Sequence, residues 1–396
     1  MTTIFGTASS REVIRTLEQA GYEAVFVGGA VRDYVLGKPA TDMDIATSAE
    51  PDEVKAVFST TFDVGIAHGT VLVLMHREPI EVTTYRTEGT YSDNRRPDEV
   101  QFVKSLREDL QRRDFTMNAL AMTIDGELID PFGGRNDLAQ RVIRAVGNPE
   151  DRFKEDALRM FRAIRFTAVL DFMIEPQTFE AIRNHAGRLR HISVERLKAE
   201  MDKLLIGVNP KAAFTAMQQT GLGSHLPLFP HDIDGLGRTV PFESILEGWA
   251  CFMISGDFSP AAVAKAYKLS NVEKKFLMEV HALYVKRKVQ DYIVDDYYHY
   301  ASDVFQTVEK LRDALDEASD TLTSTEIEQQ QQALPIQSKE ELVVTGKDLI
   351  AWSGLAGGRW TGTWMKEIEQ AVLHGLCNND PNDIKDWFSR EYKREK

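Results

Sequence analysis

The spacing of the apolar residues changes near Gly147, and this change limits the folds that the chain can adopt. Before it, helix-like and strand-like stretches alternate, and a short apolar strand is predicted over residues 24–27. After it, from residue 151 to about 315, nearly every segment repeats its apolar residues every 3.6 positions. We therefore predict an α+β fold, with an α/β head followed by an elongated, all-helical body.

The composition excludes several classes of protein. The 396 residues include only two cysteines, Cys251 and Cys377, which excludes a disulfide framework or a cysteine-built metal site. No apolar run reaches the roughly 18 residues that span a bilayer, and the N-terminal residues do not resemble a secretory signal. We expect a cytoplasmic protein without a membrane segment. The net charge of −14 disfavours nucleic acid as a partner, although local charge matters more than the total.

Two glycines follow the predicted strand and precede a predicted helix over residues 30–36. Gly28 and Gly29 would let backbone N–H groups approach an anion closely at the start of that helix. A glycine pair on its own is more often a simple turn. The glycine pair indicates an anion-binding site only in combination with the acidic residues that follow it.

Three carboxylates lie on predicted strands downstream of the glycines. Asp42 and Asp44 flank Met43 on a strand predicted over 43–46, so both carboxylates point to one side while Met43 enters the core. Two convergent carboxylates repel each other unless they hold a divalent metal, and Mg²⁺ prefers oxygen ligands together with substrate phosphates. Glu81, on one of two adjacent strands predicted over 71–75 and 80–85, could complete the site. A solvated strand edge is the alternative reading.

Taken together, these elements resemble the nucleotidyltransferase superfamily related to DNA polymerase beta. Further motifs are similar to those of the bacterial class II tRNA nucleotidyltransferases, the CCA-adding enzymes. The motifs are Gly28-Gly29-Ala30-Val31-Arg32-Asp33, Asp42-Met43-Asp44-Ile45-Ala46-Thr47, Arg112-Arg113-Asp114-Phe115-Thr116-Met117-Asn118-Ala119 and Glu155-Asp156-Ala157-Leu158-Arg159. The resemblance covers the whole chain, strongly through Arg165 and weakly after Met201.

The resemblance implies a mixed-sheet, polymerase-beta-like head and a two-metal mechanism with Mg²⁺. It implies that Asp42, Asp44 and Glu81 are catalytic, and that Asp42 and Asp44 hold the metal. It assigns nucleotide contact to Arg113 and ribose recognition to Asp114. The complete set of nucleotide-binding residues expected from the resemblance is Gly28, Gly29, Arg32, Arg113, Asp114, Asn118, Glu155, Asp156, Arg159, Arg162 and Arg165.

A predicted helix over 155–165 is expected to read the incoming base. Asp156, Arg159 and Arg162 would share one side of it, with Arg165 nearby, leaving that face net positive. In the family this element selects the base without a nucleic-acid template. Asp156 can accept from the exocyclic amino group of cytosine or adenine while Arg159 donates to the adjacent ring nitrogen. Uracil and guanine would leave both groups mispaired. The alternative is that Asp156 and these arginines only form ion pairs on a solvent-exposed helix face.

The same resemblance divides the chain and names its substrates. We expect a nucleotidyltransferase head at 1–147, a helical neck at 148–205 that recognises the base, a helical body at 206–320 and a tRNA-binding helical tail at 321–396. The polar segment 87–97 resembles the family's flexible loop for the switch from C to A addition. The expected partners are CTP, ATP and the acceptor stem and 3′ end of tRNA, which the enzyme would extend with C, C and A.

Three other functions compete with this hypothesis. A bacterial poly(A) polymerase shares the head motifs, and an enzyme that adds only the terminal A is also possible. A catalytically silent RNA-binding module on the same fold is disfavoured by the intact acidic pair. The dipeptide His231-Asp232 lacks the further histidines of a metal-dependent phosphohydrolase.

Overall fold

The computed structural model describes residues 5–40, 42–65, 69–88 and 100–394. The chain divides into two compact units, one of residues up to 248 together with 265–268, the other of 249–264 and 269–396. The division into head, neck, body and tail is finer than this and stays a prediction. Among the described residues, no helix is long and apolar enough to cross a membrane.

The described residues of the first unit form eleven strands. They are β1 Ala24–Val27, β2 Asp44–Thr47, β3 Thr61–Gly65, β4 Thr70–Met75, β5 Glu78–Thr84, β6 Arg86–Glu88, β7 Val100–Phe102, β8 Ala121–Met122, β9 Leu128–Ile129, β10 Val142–Ile143 and β11 Met173–Ile174.

Seven of these strands form one mixed sheet in the order β3-β4-β5-β2-β1-β8-β9. β2 and β5 run parallel, and the other neighbouring pairs are antiparallel. Every residue of β1 is buried, which explains its uninterrupted apolar sequence. β1 and β2 are neighbours near the centre of the sheet. The end of β1, where the glycine pair follows, therefore lies beside the start of β2 at Asp44.

Twenty α-helices complete the described structure. They are α1 Ala8–Gln19, α2 Gly29–Val35, α3 Pro51–Val57, α4 Leu106–Gln111, α5 Gly134–Gln140, α6 Pro149–Glu155, α7 Leu158–Leu170, α8 Pro176–His185, α9 Val194–Leu205, α10 Pro210–Thr220, α11 Ile233–Arg238, α12 Ile245–Ser255, α13 Pro260–Tyr267, α14 Asn271–Arg287, α15 Val294–His299, α16 Ser302–Asp316, α17 Ser324–Gln332, α18 Gly346–Ser353, α19 Arg359–Leu373 and α20 Pro381–Arg394.

The change near residue 147, from alternating helices and strands to helices, has a local physical cause. Gly147 has a φ of +71°, which glycine adopts without steric cost. The Asn148 side chain accepts a hydrogen bond from the backbone N–H of Glu150, and Pro149 is the first residue of α6. The structure confirms the predicted α+β class, with a mixed sheet followed by helices.

Some details of the sequence prediction are wrong. The strand β3 was not predicted, although Phe62 and Val64 alternate with polar residues, and both of these apolar side chains are exposed. Thr87 and Glu88 belong to β6, which pairs with β7, and not to the expected loop. The rest of that loop, 89–97, lies outside the described residues. The glutamine-rich stretch 329–332 lies in α17, a mostly exposed helix in which Ile327 is buried.

The second unit contains its own apolar core and a buried ionic cluster. Trp364, Ile368 and Phe388 are central to the apolar core. In the ionic cluster, Glu309 accepts hydrogen bonds from the Tyr292 hydroxyl at 2.6 Å, from Arg312 Nη1 at 3.1 Å and from the Leu322 backbone N–H at 2.8 Å. These bonds hold the segment after α16 against that helix.

Candidate active site

The glycine pair keeps a space open at the end of β1. Gly28 has a φ of +77° and sits between β1 and α2. A Cβ placed there would lie 3.4 Å from both Arg113 Nη1 and Asp44 Oδ2. A longer side chain would therefore fill the space between a cation and a carboxylate. Glycine keeps that space open to a ligand.

Two carboxylates lie side by side on neighbouring strands. Asp44 is opposite Val27 in the register of β1 and β2, and Ile45 is opposite Val82 in the parallel pair of β2 and β5. Asp44 and Glu81 therefore occupy matching positions, and both line the same cleft. Burial, the charge of Glu81 and that of Asp42 together raise the pKa of Asp44 to about 6, against the lowering effect of Arg113.

Asp42 is placed differently from the prediction. β2 begins at Asp44, so Asp42 and Met43 precede the strand, and Met43 is only half-buried. Asp42 is exposed but lies close enough to Asp44 to raise its pKa. The described residues contain no group of three acidic, histidine or cysteine side chains gathered as a metal site. The role of Asp42 as a metal ligand therefore stays a prediction.

A buried carboxylate on α4 organises the two arginines that follow that helix. Asp109 accepts hydrogen bonds from Arg112 Nε at 3.0 Å and Nη2 at 2.7 Å, from Arg113 Nη2 at 3.2 Å and from the Arg86 backbone N–H at 3.3 Å. Burial alone would raise the pKa of Asp109, but the two guanidinium groups outweigh it and the pKa is lowered. Asp109 thus fixes Arg113 beside Gly28 and anchors the start of β6.

Asp114 is held by three residues, of which Arg162 approaches its Oδ2 with Nη2 at 2.6 Å as well as with Nε. Its Oδ1 accepts from the Phe115 backbone N–H at 2.8 Å and from Asn118 Nδ2 at 3.0 Å, and its Oδ2 accepts from Arg162 Nε at 2.7 Å. Burial would raise the pKa of Asp114, but Arg162 and Asn118 outweigh it and lower the pKa to about 2. Asn118 also accepts from Arg32 Nη1 at 2.9 Å, which connects Asp114 to α2.

The helix predicted over 155–165 is interrupted. α6 ends at Glu155, Asp156 has extended backbone angles, and α7 begins at Leu158. Asp156 Oδ1 accepts from the Leu158 backbone N–H at 2.9 Å, so Asp156 caps the start of α7 and does not lie on its face. Its Oδ2 accepts from Arg196 Nη2 at 2.7 Å. The prediction of one continuous face was wrong because an aspartate hydrogen-bonds so readily to the backbone two residues on.

Arg159 remains beside Asp156 at the start of α7. Its Nη1 donates to Glu155 Oε2 at 2.6 Å, and its Nη2 donates to the backbone carbonyl of Arg112 at 2.8 Å. The side chain is 9% exposed and lines the cleft. Glu155 does not line this cleft. It contacts Arg159, which does.

Farther along α7, two arginines share one glutamate of α9. Glu200 contacts Arg162 Nη1 at 3.5 Å and accepts from Arg165 Nε at 2.6 Å. The guanidinium of Arg165 stacks 3.8 Å from the centre of the Phe166 ring, and that of Arg32 lies 5.4 Å from it. Arg165 is therefore a buried, paired group, and the net positive helix face expected from the sequence is partly neutralised by α9.

These groups surround one cleft of about 600 Å³. It brings together twelve of the fourteen residues predicted from the sequence, all except Asp42 and Glu155. Nine basic side chains line it against four carboxylates, an excess of five positive charges in a chain whose net charge is −14. The basic residues are Arg32, Arg86, Arg112, Arg113, Arg159, Arg162, Arg165, Arg196 and Lys203, and the acidic ones are Asp44, Glu81, Asp114 and Asp156.

Sequence reasoning missed the contribution of α9 to this cleft. Arg196, Glu200 and Lys203 recur at spacings of four and three residues, which places them on one helix face. The neighbouring, apolar side of the helix carries Leu197, Met201 and Leu204. The signal was therefore present as a polar stripe, but nothing in the sequence indicated which side of the helix would face the cleft.

Glycines at a sheet edge, paired carboxylates and an anion-attracting cleft together define a nucleotidyltransferase head. The chain matches three family models, a poly(A) polymerase head domain over residues 24–144, a probable RNA- and SrmB-binding site of polymerase A over 171–231, and a putative second domain of tRNA nucleotidyltransferase over 240–388. Nucleotidyltransferases of this kind are typically metal-dependent.

Comparison with individual proteins narrows this class to one family. The chain is 42% identical over 390 residues to a CCA-adding enzyme of Bacillus cereus, covering 97% of this chain and 98% of the relative. It matches the crystal structure of the Bacillus stearothermophilus CCA-adding enzyme in complex with CTP with a TM-score of 0.85 and 38% identity, over 100% of this chain and 99% of that one. The chain belongs to the CCA-adding enzyme family.

A more distant structure shares the fold. The Thermotoga maritima CCA-adding enzyme, solved in complex with tRNA, matches with a TM-score of 0.62 and 21% identity, over 96% of this chain and 94% of that one.

Proposed function

We propose that this chain adds C, C and A to the 3′ end of tRNA from CTP and ATP, with release of pyrophosphate. One observation carries the proposal. Asp156 and Arg159 line the same cleft as Asp44 and Glu81. Groups suited to reading a base edge therefore face groups suited to holding a metal and a triphosphate, within one space. The relatives named above are CCA-adding enzymes, and CTP is bound in one of their structures.

Base selection would rest on the pair at the start of α7. Asp156 keeps an acceptor position on each oxygen after its bonds to Leu158 and Arg196, and it can accept from the amino group of cytosine or adenine. Arg159 would donate to the neighbouring ring nitrogen. Both side chains are fixed by protein partners before a nucleotide binds, so little rearrangement is needed to test each base.

Recognition of the sugar would fall to Asp114, with Arg113 beside the nucleotide. The Asp114 carboxylate lines the cleft, but four nitrogens already lie against its two oxygens, so a ribose hydroxyl would bind by replacing one of these donors, such as a nitrogen of Arg162. A low pKa keeps Asp114 charged and accepting throughout the neutral range. Arg113 lies against the open space over Gly28, where the phosphates would pass.

The carboxylates of Asp44 and Glu81, with Asp42 nearby, fit Mg²⁺ better than any softer metal. All are oxygen donors, and burial together with the charges of Glu81 and Asp42 raises the pKa of Asp44, a cost that a bound cation would lower. The chemistry that such ions supply when bound is activation of the attacking 3′-hydroxyl and neutralisation of charge on the transferred phosphoryl group. The surrounding arginines would position the nucleotide for in-line attack.

The tRNA would be bound through local basic surface and shape, because the chain as a whole is acidic. We assign the head to residues 1–147, base recognition to 148–205 and tRNA contact mainly to the helical body and tail. Binding should weaken steeply as salt rises, since phosphate contacts release counterions.

The decisive assay uses purified protein, Mg²⁺, tRNA lacking its last three nucleotides, and labelled CTP and ATP singly and together. We expect CTP alone to add two residues and both nucleotides together to add three, with no product from UTP or GTP. Many adenylates on RNA would identify a poly(A) polymerase. Addition to tRNA ending in CC but not to shorter tRNA would identify an A-adding enzyme. No incorporation at all would refute nucleotidyl transfer.

A further inference from the structure

Lys203 differs from the other cations of the cleft in its bonding. Seven of the nine basic side chains lining the cleft are held in ion pairs with Asp33, Asp109, Asp114, Glu155, Asp156 or Glu200. Lys203 is exposed and makes no hydrogen bond or ion pair with any residue that the structure describes. Its charge is therefore available to a ligand, whereas most of the arginines are already partly neutralised.

The position of Lys203 follows from the way that α7 and α9 run past each other. Asp156, just before α7, bonds to Arg196 early in α9. Arg165, well along α7, bonds to Glu200. The two helices therefore advance in the same direction along the cleft wall. Lys203 comes about one turn after Glu200, on the order of 10 Å along α9 from Arg196.

The far end of the cleft is also the end where the glycine pair lies. Phe166, one residue beyond Arg165, packs against the guanidinium of Arg32, which belongs to α2 directly after Gly28 and Gly29. A nucleotide whose base lies at Asp156 and whose ribose lies at Asp114 must extend its phosphates toward this end. Lys203 lines the cleft, and its place on α9 beyond Glu200 puts it toward this end.

We propose that Lys203 binds the outer phosphates of the incoming nucleoside triphosphate and then the pyrophosphate product. The inference rests on the proposed function. In the reaction, the bond between the α-phosphorus and the bridging oxygen breaks, and that oxygen carries its electron pair away with pyrophosphate. Lys203 offsets the charge that collects on this leaving group and forms no covalent bond. An ammonium on a flexible stem can follow the pyrophosphate as it separates.

The test compares two charge-removing variants on the same helix. Lys203→Gln removes the proposed phosphate contact. Lys198→Gln is the matched control, because Lys198 pairs with Asp202 at 2.7 Å and does not line the cleft. Lys203→Arg tests whether a charge at this position suffices. For each, we would measure inhibition of CMP incorporation by inorganic pyrophosphate and by CMP, the KM for CTP and the KM for tRNA, all with Mg²⁺.

We expect Lys203→Gln to raise the inhibition constant of pyrophosphate and the KM for CTP about tenfold, the loss of one charge-assisted hydrogen bond. Inhibition by CMP and the KM for tRNA should stay at wild-type values, because neither depends on the outer phosphates. Lys203→Arg should recover most of the pyrophosphate inhibition, and Lys198→Gln should match the wild type in all four measurements.

Two results would overturn the inference. One is unchanged pyrophosphate inhibition in Lys203→Gln, and the other is a raised KM for tRNA alone, which would make Lys203 a contact of the primer RNA. Calorimetric titration of the proteins with pyrophosphate and Mg²⁺ gives the same comparison without turnover. If the wild type fails to extend tRNA, the proposed function fails, and the titration still decides whether Lys203 binds pyrophosphate.

Discussion

The two units each contain a buried network of arginines and carboxylates. The two networks differ in the hydrogen-bonding capacity that remains for a ligand. Around Glu309, the carboxylate is enclosed at 4% exposure, and its donors are a tyrosine, an arginine and a backbone amide of the same unit. Around Glu200 and Asp114, the paired arginines border an open cleft with an excess of positive charge. Similar ion pairs therefore serve a scaffold in one unit and a binding site in the other.

The difference lies in remaining bonding capacity. An enclosed carboxylate such as Glu309 holds elements of its own unit together, and removing one partner leaves a buried charge alone. An arginine on a cleft wall keeps unused N–H donors after it has formed its ion pair. Pairing then fixes its direction while the remaining donors face the ligand. The predictions that follow separate these two uses.

The largest expected effect is on catalysis by Asp44→Asn. Loss of this carboxylate removes a proposed metal ligand and should lower CMP incorporation by on the order of a thousandfold. Because burial and neighbouring carboxylates raise the pKa of Asp44, the neutral amide should leave the unfolding temperature unchanged or higher. Single-turnover assays and thermal denaturation measure the two quantities. A variant with near wild-type activity would exclude Asp44 from the metal site.

The enclosed network should respond in the opposite way. Glu309→Gln leaves Arg312 and Arg287 without their shared carboxylate and should lower the free energy of unfolding by about 3 kcal/mol. Below its unfolding temperature, the variant should keep the wild-type KM for CTP, since Glu309 lies in the other unit from the cleft. Urea denaturation followed by steady-state kinetics tests this. A stable variant with a raised KM would reverse our assignment of the two networks.

Asp114 gives an intermediate effect that depends on pH. Its folded-state pKa of about 2 is below the ordinary value of 3.8, so the stabilisation is complete above about pH 5 and is lost as the pH falls through the folded pKa. The shift corresponds to about 2 kcal/mol. The free energy of unfolding of the wild type should therefore fall more steeply between pH 4 and pH 2 than that of Asp114→Asn. Parallel slopes would show that the Arg162 pair adds no net stability.

The smallest predicted change concerns base selection. Asp156→Asn can donate to the O4 atom of uracil, so the preference for CTP over UTP, measured as a ratio of kcat/KM, should fall about tenfold. Asp202→Asn, which breaks a surface ion pair of α9, is a suitable control and should keep the preference intact. If both variants discriminate like the wild type, the base lies elsewhere in the cleft.

The sequence predicted best what depends on local pattern. The sequence placed Asp44 and Glu81 on strands and the glycine pair at the end of β1, whereas the register that sets the two carboxylates side by side came from the structure. It failed where a side chain competed with the backbone, as at Asp156, and where partners are distant in the chain, as for Asp109 with Arg86 or Glu200 with Arg165. Periodicity gives the faces of an element, but it does not say which other element will meet them.

The cap that Asp156 forms on α7 links two properties that could otherwise vary independently. The carboxylate proposed to read the base is also the group that satisfies the first free amide of a thirteen-residue helix. A mutation at this position that removes the side-chain oxygen therefore alters nucleotide preference and weakens the fold around it together. Such a variant, if it adds different nucleotides, would need a second substitution to restore the stability of α7. A single mutation of this kind is therefore a poor route to a new specificity.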